Sequence, residues 1–410
     1  MQYSTFAAID IGSYDVILEI FEISKKQGIR SVDKICHRME LGKDTYTLGK
    51  IRPEMEEELC RVLADFVRIM EGYRVDDYRA TASSAISEAS NSLYVLGKIH
   101  QLTGLSVTVL SNSEQRFLSY KALAAMEDNF NKIIEKGTAI LDLDGGSFQI
   151  SLFDKDALVT TQNIRMGSLR IRERLAGIQS ETEHYEEMVE ELIWNEVSSF
   201  KKMYLKDRKI ENIMLIGDVF TDSVYQNIEE KTTKIISREN FNTWYEKIIR
   251  QSPMELAVKL GIPLENASLM YPSAVIYKCL IDMMGAEHIW IPGVHMTRGI
   301  AYEYAEQMKL LKGGHNFEND ILMAAKNIGK RYAVNRPHVQ NLEMTALAMF
   351  DATKKMHGMK ERERLLLQMA VMLHDVGKYI SFNNVADSSY NIIMSNEIIG
   401  LSHIEREMVA

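Results

Sequence analysis

Two short stretches of sequence repeat the same pattern, and they constrain the fold more than any other feature of the chain. Ala7–Phe21 reads AAIDIGSYDVILEIF, and Thr138–Phe153 reads TAILDLDGGSFQISLF. Each predicts an apolar strand, a small turn that carries a carboxylate, glycine and serine, and then a second strand. Two such hairpins predict a duplicated fold whose halves face each other across a cleft.

The residue types in the two turns favour a phosphate site. The matching positions are Asp10, Gly12 and Ser13 in the first turn and Asp142, Gly145, Gly146 and Ser147 in the second. Glycine lets backbone N–H groups approach a bound phosphate, and successive N–H groups form an anion-binding nest. The aspartates cannot hold phosphate directly because like charges repel, but they suit a metal ion, its bound water or a hydrogen-bonded nucleophile. Two ordinary hairpins with acidic turns are the alternative, which the repetition disfavours.

Length and charge narrow the class of protein. A chain of 410 residues is long enough for two or three domains. A net charge of -9 argues against nucleic acid or an anionic membrane as the main partner. The three cysteines form no CxxC pair, which indicates a reducing cytoplasm. We see neither a signal peptide nor a run of 18 apolar residues, so we expect a cytoplasmic protein without a membrane span.

The chain divides by its pattern into an α/β part and a helical part. Strands alternate with helices, among them the predicted helices Pro53–Tyr73 and Pro272–Met284, as is typical of an α/β fold. The polar, glycine-bearing segment Lys312–Asn319 is the predicted boundary, and only helical patterning follows it. We predict domains at 1–126, 127–311 and 312–410. The last is expected to be incomplete because the chain ends without a helix stop.

Five segments, taken in their order and spacing, resemble the exopolyphosphatase / guanosine pentaphosphate phosphohydrolase (Ppx/GppA) family. They are AAIDIGS at Ala7–Ser13, ATASSAISEASN at Ala80–Asn91, VLSNSEQRFL at Val109–Leu118, LDLDGGSFQI at Leu141–Ile150 and RMGSLRIRERL at Arg165–Leu175. The resemblance implies duplicated ribonuclease-H-like halves of the actin-like ATPase superfamily. It also implies a hydrolase that removes terminal phosphate from inorganic polyphosphate or guanosine pentaphosphate with a divalent metal, magnesium or manganese being expected.

The resemblance assigns roles to individual residues. Asp10 and Asp142 would bind the metal or its water shell, and a carboxylate would orient the attacking water. The glycines and serines of both turns would hold phosphate. Arg170 could offer a fork of donors to the same phosphate chain, although a surface arginine is equally compatible with its position. Because members of the family often pair through their C-terminal parts, a homodimer is expected.

Several positions depart from the family pattern. Where the family has two adjacent glutamates, the second being the proposed base, this chain has Glu114 and Gln115. An amide cannot accept the proton of a water molecule at neutral pH. Glu114 remains as a substitute base, but Ser111-x-x-Glu114 is also the pattern of a helix capping box, which we favour. Both Glu114 and Gln115 are candidate catalytic residues.

Other departures change the charge and size of groups around the predicted phosphate. Asp15 and Asp144 add negative charge, and Ser87 replaces an expected arginine. These changes weaken phosphate affinity, because uncompensated like charges in a partly desolvated cleft are costly. Tyr14 and Phe148 replace smaller residues, so either could fill the gap.

The C-terminal part resembles an HD domain. His338 begins it, and the adjacent pair His374 and Asp375 closes an apolar helix. Two imidazoles and a carboxylate can bind a metal ion. A structural helical domain with a vestigial pair is the alternative.

Three functional hypotheses follow. The first is a phosphohydrolase with rearranged catalytic groups, and the second is a phosphate- or nucleotide-binding regulator with little catalysis. The third assigns the chemistry to the HD-like site. An actin-like sugar kinase is disfavoured because we find no second adenosine-type glycine loop.

Overall fold

The first half of the molecule is built on a mixed five-stranded sheet. The structure, a computed structural model, describes residues 3–126, 130–155, 157–176, 185–227, 234–311 and 315–410. The elements of this half are β1 (Ser4–Ile11), β2 (Asp15–Ser24), β3 (Gly28–Arg38), α1 (Leu41–Leu48), α2 (Pro53–Tyr73), β4 (Asp77–Ala82), α3 (Ser84–Ser87), α4 (Ser92–Thr103), β5 (Val107–Val109) and α5 (Asn112–Met126). The sheet order is β3-β2-β1-β4-β5, with β1 antiparallel to β2 and parallel to β4.

The second half repeats this order. Its elements are α6 (Phe130–Ile134), β6 (Thr138–Leu143), β7 (Phe148–Asp154), β8 (Ala157–Ile164), α7 (Ser168–Leu175), α8 (Tyr185–Phe200), β9 (Asn212–Ile216), α9 (Val219–Asn227), β10 (Ile235–Ser237), α10 (Arg238–Ile249), α11 (Pro253–Leu260), α12 (Leu264–Met284), β11 (His288–Trp290) and α13 (Met296–Gln307). The sheet order β10-β11-β9-β6-β7-β8 contains the same antiparallel meander followed by parallel neighbours. The predicted duplicated α/β fold is therefore confirmed.

The two repeated hairpins also match in their turns. In the first turn the Gly12 amide donates to the Asp15 carbonyl over 2.8 Å, and in the second the Asp144 amide donates to the Ser147 carbonyl over 2.9 Å. Strands β1 and β2, which this first turn connects, are buried along most of their length.

The predicted helix Pro53–Tyr73 is confirmed, with Pro53 in its first turn. The predicted start of the helix Pro272–Met284 is wrong, because α12 begins at Leu264 and carries Pro272 inside it. Ala267 and Met270, which precede the proline, are fully buried. Packing of that first segment therefore outweighs the cost of a proline within the helix.

The C-terminal part is helical, as predicted. It consists of α14 (Phe317–Arg331), α15 (Arg336–Ala352), α16 (Lys354–His357), α17 (Glu361–Leu373), α18 (Val385–Ser395) and α19 (His403–Val409). One hydrophobic cluster joins α14 and α17 to strands β6, β8 and β9, so this part shares a core with the second half. The predicted domain boundaries after residues 126 and 311 fall at 127–129 and 312–314, which lie outside the described residues.

Helix α5 lies between the two halves and the helical part. A Cβ atom on Gly299 of α13 would meet the Leu118 carbonyl of α5 at 2.0 Å, so the two helices are in backbone contact. Only glycine permits such an approach. None of the helices in the described ranges is both long and apolar enough to cross a membrane.

Candidate functional site

The two hairpin turns converge on one cleft, as the repeat predicted. Asp10 and Gly12 line it from the first half, and Asp142 and Gly145 line it from the second. Its volume is about 290 Å³. The cleft therefore has the position expected of a site between two duplicated halves.

The walls of the cleft are rich in carboxylates. They are Asp10, Asp15, Asp142, Asp144, Asp218 and Asp222. Burial raises the pKa of Asp10 well above its usual range, and the neighbouring Asp15 raises it further. Burial also raises the pKa of Asp15 and of Asp142. The side-chain oxygen Oδ1 of Asp10 is buried without a hydrogen-bond partner among the described residues. An anionic ligand needs cations to enter such a cleft.

Arg116 supplies the buried cation of the cleft, and sequence reasoning missed it. Its side chain is 7% exposed, and its Nη1 donates to Asp142 Oδ1 over 2.9 Å. Its Nη2 donates to Ser147 Oγ over 3.3 Å and lies 3.7 Å from Asp144 Oδ2. The only sequence signal is its place directly after Gln115 in a segment that resembles a catalytic motif. Lys34 and Arg38 add positive charge at the cleft wall.

Asp218 is a second residue to which sequence analysis gave no role. It follows β9 and lines the cleft, and its Oδ1 accepts a hydrogen bond from the Thr221 amide over 3.1 Å. The Tyr277 hydroxyl donates to the same oxygen over 3.2 Å, whereas Oδ2 is buried without a partner among the described residues. Burial raises the pKa of Asp218 to about 7. A carboxylate with such a pKa can take up a proton near neutral pH.

The two candidate catalytic residues on α5 face in different directions. Gln115 lines the cleft, is 3% exposed, and donates from Nε2 to the Leu110 carbonyl over 3.3 Å. Glu114 lies away from the cleft, where its Oε2 accepts the Ser111 amide over 2.9 Å, and its own amide donates to Ser111 Oγ over 3.3 Å. This is a capping box. The interpretation of Glu114 as a substitute base is therefore corrected.

Ser13 and Gly146 form a contact between the halves and do not line the cleft. Ser13 is fully buried, with its Oγ 2.7 Å from Tyr46 Oη and 3.3 Å from Ser84 Oγ. A Cβ atom on Gly146 would meet Tyr46 Oη at 2.1 Å, so glycine is required there for protein packing. The structure thus gives these two predicted phosphate ligands partners within the protein.

The remaining predicted phosphate ligands also have protein partners. Arg170 donates from Nε to the Gly146 carbonyl over 2.9 Å, pairs with Glu88 and stacks on Tyr46. Ser147 accepts from Arg116. The amides of Gly12 and Gly145 close their own turns by donating to the Asp15 carbonyl and to Asp144 Oδ1. Side chains, and Arg116 above all, therefore offer the positive charge in this cleft.

Tyr14 forms one wall of the cleft without closing it. It is 7% exposed, and its hydroxyl donates to Asn266 Oδ1 across the gap over 2.7 Å. Phe148 is buried in the core of the second sheet. Neither residue blocks the space between the turns.

A divalent metal ion in the cleft, which the resemblance in the sequence implies, would need several ligand atoms close together. Among the described residues, no three ligand atoms of the cleft lie close enough together to surround an ion. Asp142, a predicted ligand, is already paired with the Arg116 guanidinium. Asp10 keeps a free oxygen, but burial favours its protonated form. The residues present do not fit a metal ion held at Asp142 beside Arg116.

The HD-like cluster does come together. One ligand atom each from His338, His374 and Asp375 lie within 4.8 Å of one another. His374 Nδ1 lies 2.7 Å from the Val371 carbonyl, which leaves Nε2 to face Asp375 Oδ1 at 3.4 Å. Asp375 Oδ2 is paired with Lys378 Nζ at 2.7 Å. The donor set and its hydrogen bonds suit a metal ion.

Comparison with known proteins gives consistent matches along the chain. The model of the Ppx/GppA phosphatase family matches residues 20–308, and the model of Ppx/GppA phosphatase domain III matches residues 322–410. A guanosine-5'-triphosphate,3'-diphosphate pyrophosphatase of Vibrio atlanticus is 18% identical over 408 residues, which cover 98% of this chain and 78% of that protein. A bifunctional 3-dehydroquinate synthase/phosphatase of Fusobacterium nucleatum is 21% identical over 310 residues, or 69% of this chain and 44% of that protein. The chain thus spans less than half the length of this second relative.

Solved structures agree in fold. The Ppx/GppA family member of Aquifex aeolicus superposes with a TM-score of 0.62 at 17% identity, covering 75% of this chain and 99% of that one. An exopolyphosphatase of Cytophaga hutchinsonii superposes with a TM-score of 0.66 at 17% identity, covering 74% of this chain and 98% of that one. At such identities the likeness shows the fold alone.

Proposed function

Because the chain belongs to the Ppx/GppA phosphatase family, we propose that it removes terminal phosphate from inorganic polyphosphate or guanosine pentaphosphate. The observation that carries this proposal is the convergence of the Asp10 and Asp142 turns on a single cleft between duplicated halves. Only the terminal phosphate would enter the cleft, and the rest of the polyphosphate chain or of the nucleotide would extend out of it.

The chemistry requires a cation for the phosphate and a base for the attacking water. Arg116 offers a guanidinium, whose planar set of N–H donors suits phosphate oxygens. Asp218 accepts the proton of the water through its free Oδ2, a role that the Gln115 amide cannot perform. Gln115 lies on the cleft wall and can orient that water by hydrogen bonding. Positioning and charge stabilisation account for most of the catalysis in phosphoryl transfer.

The second candidate function is a phosphate- or nucleotide-binding regulator with little catalysis. It is favoured by the amide at position 115 and by the acidic walls, which repel a polyanion. Restoring the family residues with Gln115→Glu and Ser87→Arg would then create turnover that the natural chain lacks.

A phosphate-release assay separates the two functions. Purified protein is incubated with long-chain polyphosphate and, separately, with guanosine pentaphosphate, in magnesium, in manganese and in a chelator. We expect inorganic phosphate to be released from at least one substrate at a rate proportional to protein concentration. Release no faster than the blank in every combination would rule out the hydrolase and leave the regulator.

The helical part would hold a separate divalent metal ion at His338, His374 and Asp375, and we propose this site independently of the cleft. Pairing of two chains, a cytoplasmic location and the absence of a nucleic-acid partner stay predictions.

A further inference from the structure

We propose that Arg116 takes the place of a divalent metal ion in the cleft, so that a phosphate-bearing anion is bound by a cation tethered to the chain. The inference rests on the proposed function for the identity of the anion, but its metal-binding part does not. Arg116 would then determine which cation the site uses.

The contacts of Arg116 are those of a built-in counter-ion. The guanidinium touches the carboxylate of Asp142 at 2.9 Å and approaches that of Asp144 at 3.7 Å. Asp142 lies near the end of β6, Asp144 lies in the turn that follows, and Asp142 is 5% exposed. A metal ion bound to Asp142 would therefore lie beside a guanidinium that stays charged at any physiological pH. Two positive charges in contact with the same carboxylate repel each other strongly in a partly desolvated cleft.

Arg116 cannot easily leave to admit a metal ion. Its side chain is 7% exposed, and its departure would leave Asp142 without its buried partner. Breaking a buried ion pair by removing one member is strongly unfavourable. The pair therefore resists competition from an ion in solution.

Arg116 also keeps donor capacity for a ligand. Its Nε is buried without a hydrogen-bond partner among the described residues, although the guanidinium borders the cleft. A buried donor without a partner is costly unless a ligand or water satisfies it. A phosphate oxygen at this donor would receive both a hydrogen bond and a full positive charge.

The test is a manganese titration followed by electron paramagnetic resonance, in a His374→Ala background that disables the HD-like cluster. The His374→Ala protein is the reference. In the same background we also measure Asp142→Asn, Arg116→Ala, and the combination of Arg116→Ala with Asp142→Asn. Arg116→Lys serves as the charge-retaining variant. The thermal transition of each variant is measured beside the titration.

We expect Asp142→Asn to leave manganese binding unchanged while Arg116 is present. Arg116→Ala should bind manganese at least tenfold more tightly, the second substitution should abolish that gain, and Arg116→Lys should show no gain. The proposal is overturned if Asp142→Asn weakens manganese binding in the presence of Arg116, or if folded Arg116→Ala gains none. Should Arg116→Ala not fold, the Asp142→Asn comparison and Arg116→Lys decide the question. No readout depends on phosphate release, so failure of the proposed function would be seen separately.

Discussion

At the scale of the residue, the chemistry depends on a carboxylate whose surroundings keep it protonated to an unusual pH. Asp218 is buried, which raises its pKa to about 7, and Asp222 raises it further. Hydrogen bonds from Thr221 and Tyr277, together with the nearby Ser273 hydroxyl, lower the pKa of Asp218 but do not cancel the effect of burial. The group therefore changes its charge in the range where a general base is most effective.

We predict that Asp218→Asn lowers kcat by 10²–10⁴, the usual contribution of a general base. In the natural chain kcat should rise with pH through about 7, because protonated Asp218 cannot accept a proton. The pH–rate profile of the variant should lose this rise. Asp282→Asn, at an exposed carboxylate of α12 paired with Lys278, is the matched control and should leave the profile unchanged.

Stability provides a second readout for the same variant. A carboxylate whose pKa is raised in the folded state stabilises the folded protein when the pH is below the pKa of the unfolded state. For Asp218 this stabilisation is lost as the pH rises through its folded-state pKa of about 7. Asp218→Asn should therefore raise the free energy of unfolding at pH 8 by roughly 1–3 kcal/mol, because no buried charge must form. Lower stability together with lower kcat would show a structural role only and contradict the proposal.

At the scale of the element, α5 shows what sequence can predict and what it cannot. The pattern of Ser111 and Glu114 predicted the capping box that the structure contains, since a cap depends on neighbours along the chain. The direction of Arg116 depends on which face of α5 meets the second half. That face is set by packing against α13, which lies far along the chain.

The glycines of the two hairpins also show which features can be predicted from local sequence and which cannot. The strands and turns of the hairpins were predictable because alternation and turn residues act locally. Whether Gly146 admits a phosphate or a protein group is not a local property. In the structure the space above it holds Tyr46, a residue of α1 in the other half, and nothing near Gly146 in the sequence indicates this.

At the scale of the whole molecule, two sites lie in parts that share a core. The cleft lies between the duplicated halves, and the HD-like cluster lies in the helical part packed on β8. His338, near the start of α15, lies close to His374 and Asp375, which follow α17. The resemblance to an HD domain gave no indication of Lys378, which pairs with Asp375.

We predict that the purified chain carries divalent metal that His374→Ala loses, as measured by inductively coupled plasma mass spectrometry. His403→Ala, at a histidine outside the cluster, should retain the metal. Lys378→Ala should bind metal more tightly, because it frees Asp375 Oδ2 for the ion. Unchanged metal content in His374→Ala would exclude the site.

The central claim is that the cleft between the two duplicated turns binds one anion beside Arg116, and its most direct test is anomalous diffraction from a crystal soaked with tungstate, a heavy analogue of phosphate. We predict an anomalous peak in the cleft lined by Gly12, Arg116 and Gly145, with an oxygen within hydrogen-bond distance of the guanidinium. Ordered tungstate only at other places on the molecule, with the cleft free of anomalous density, would contradict the account.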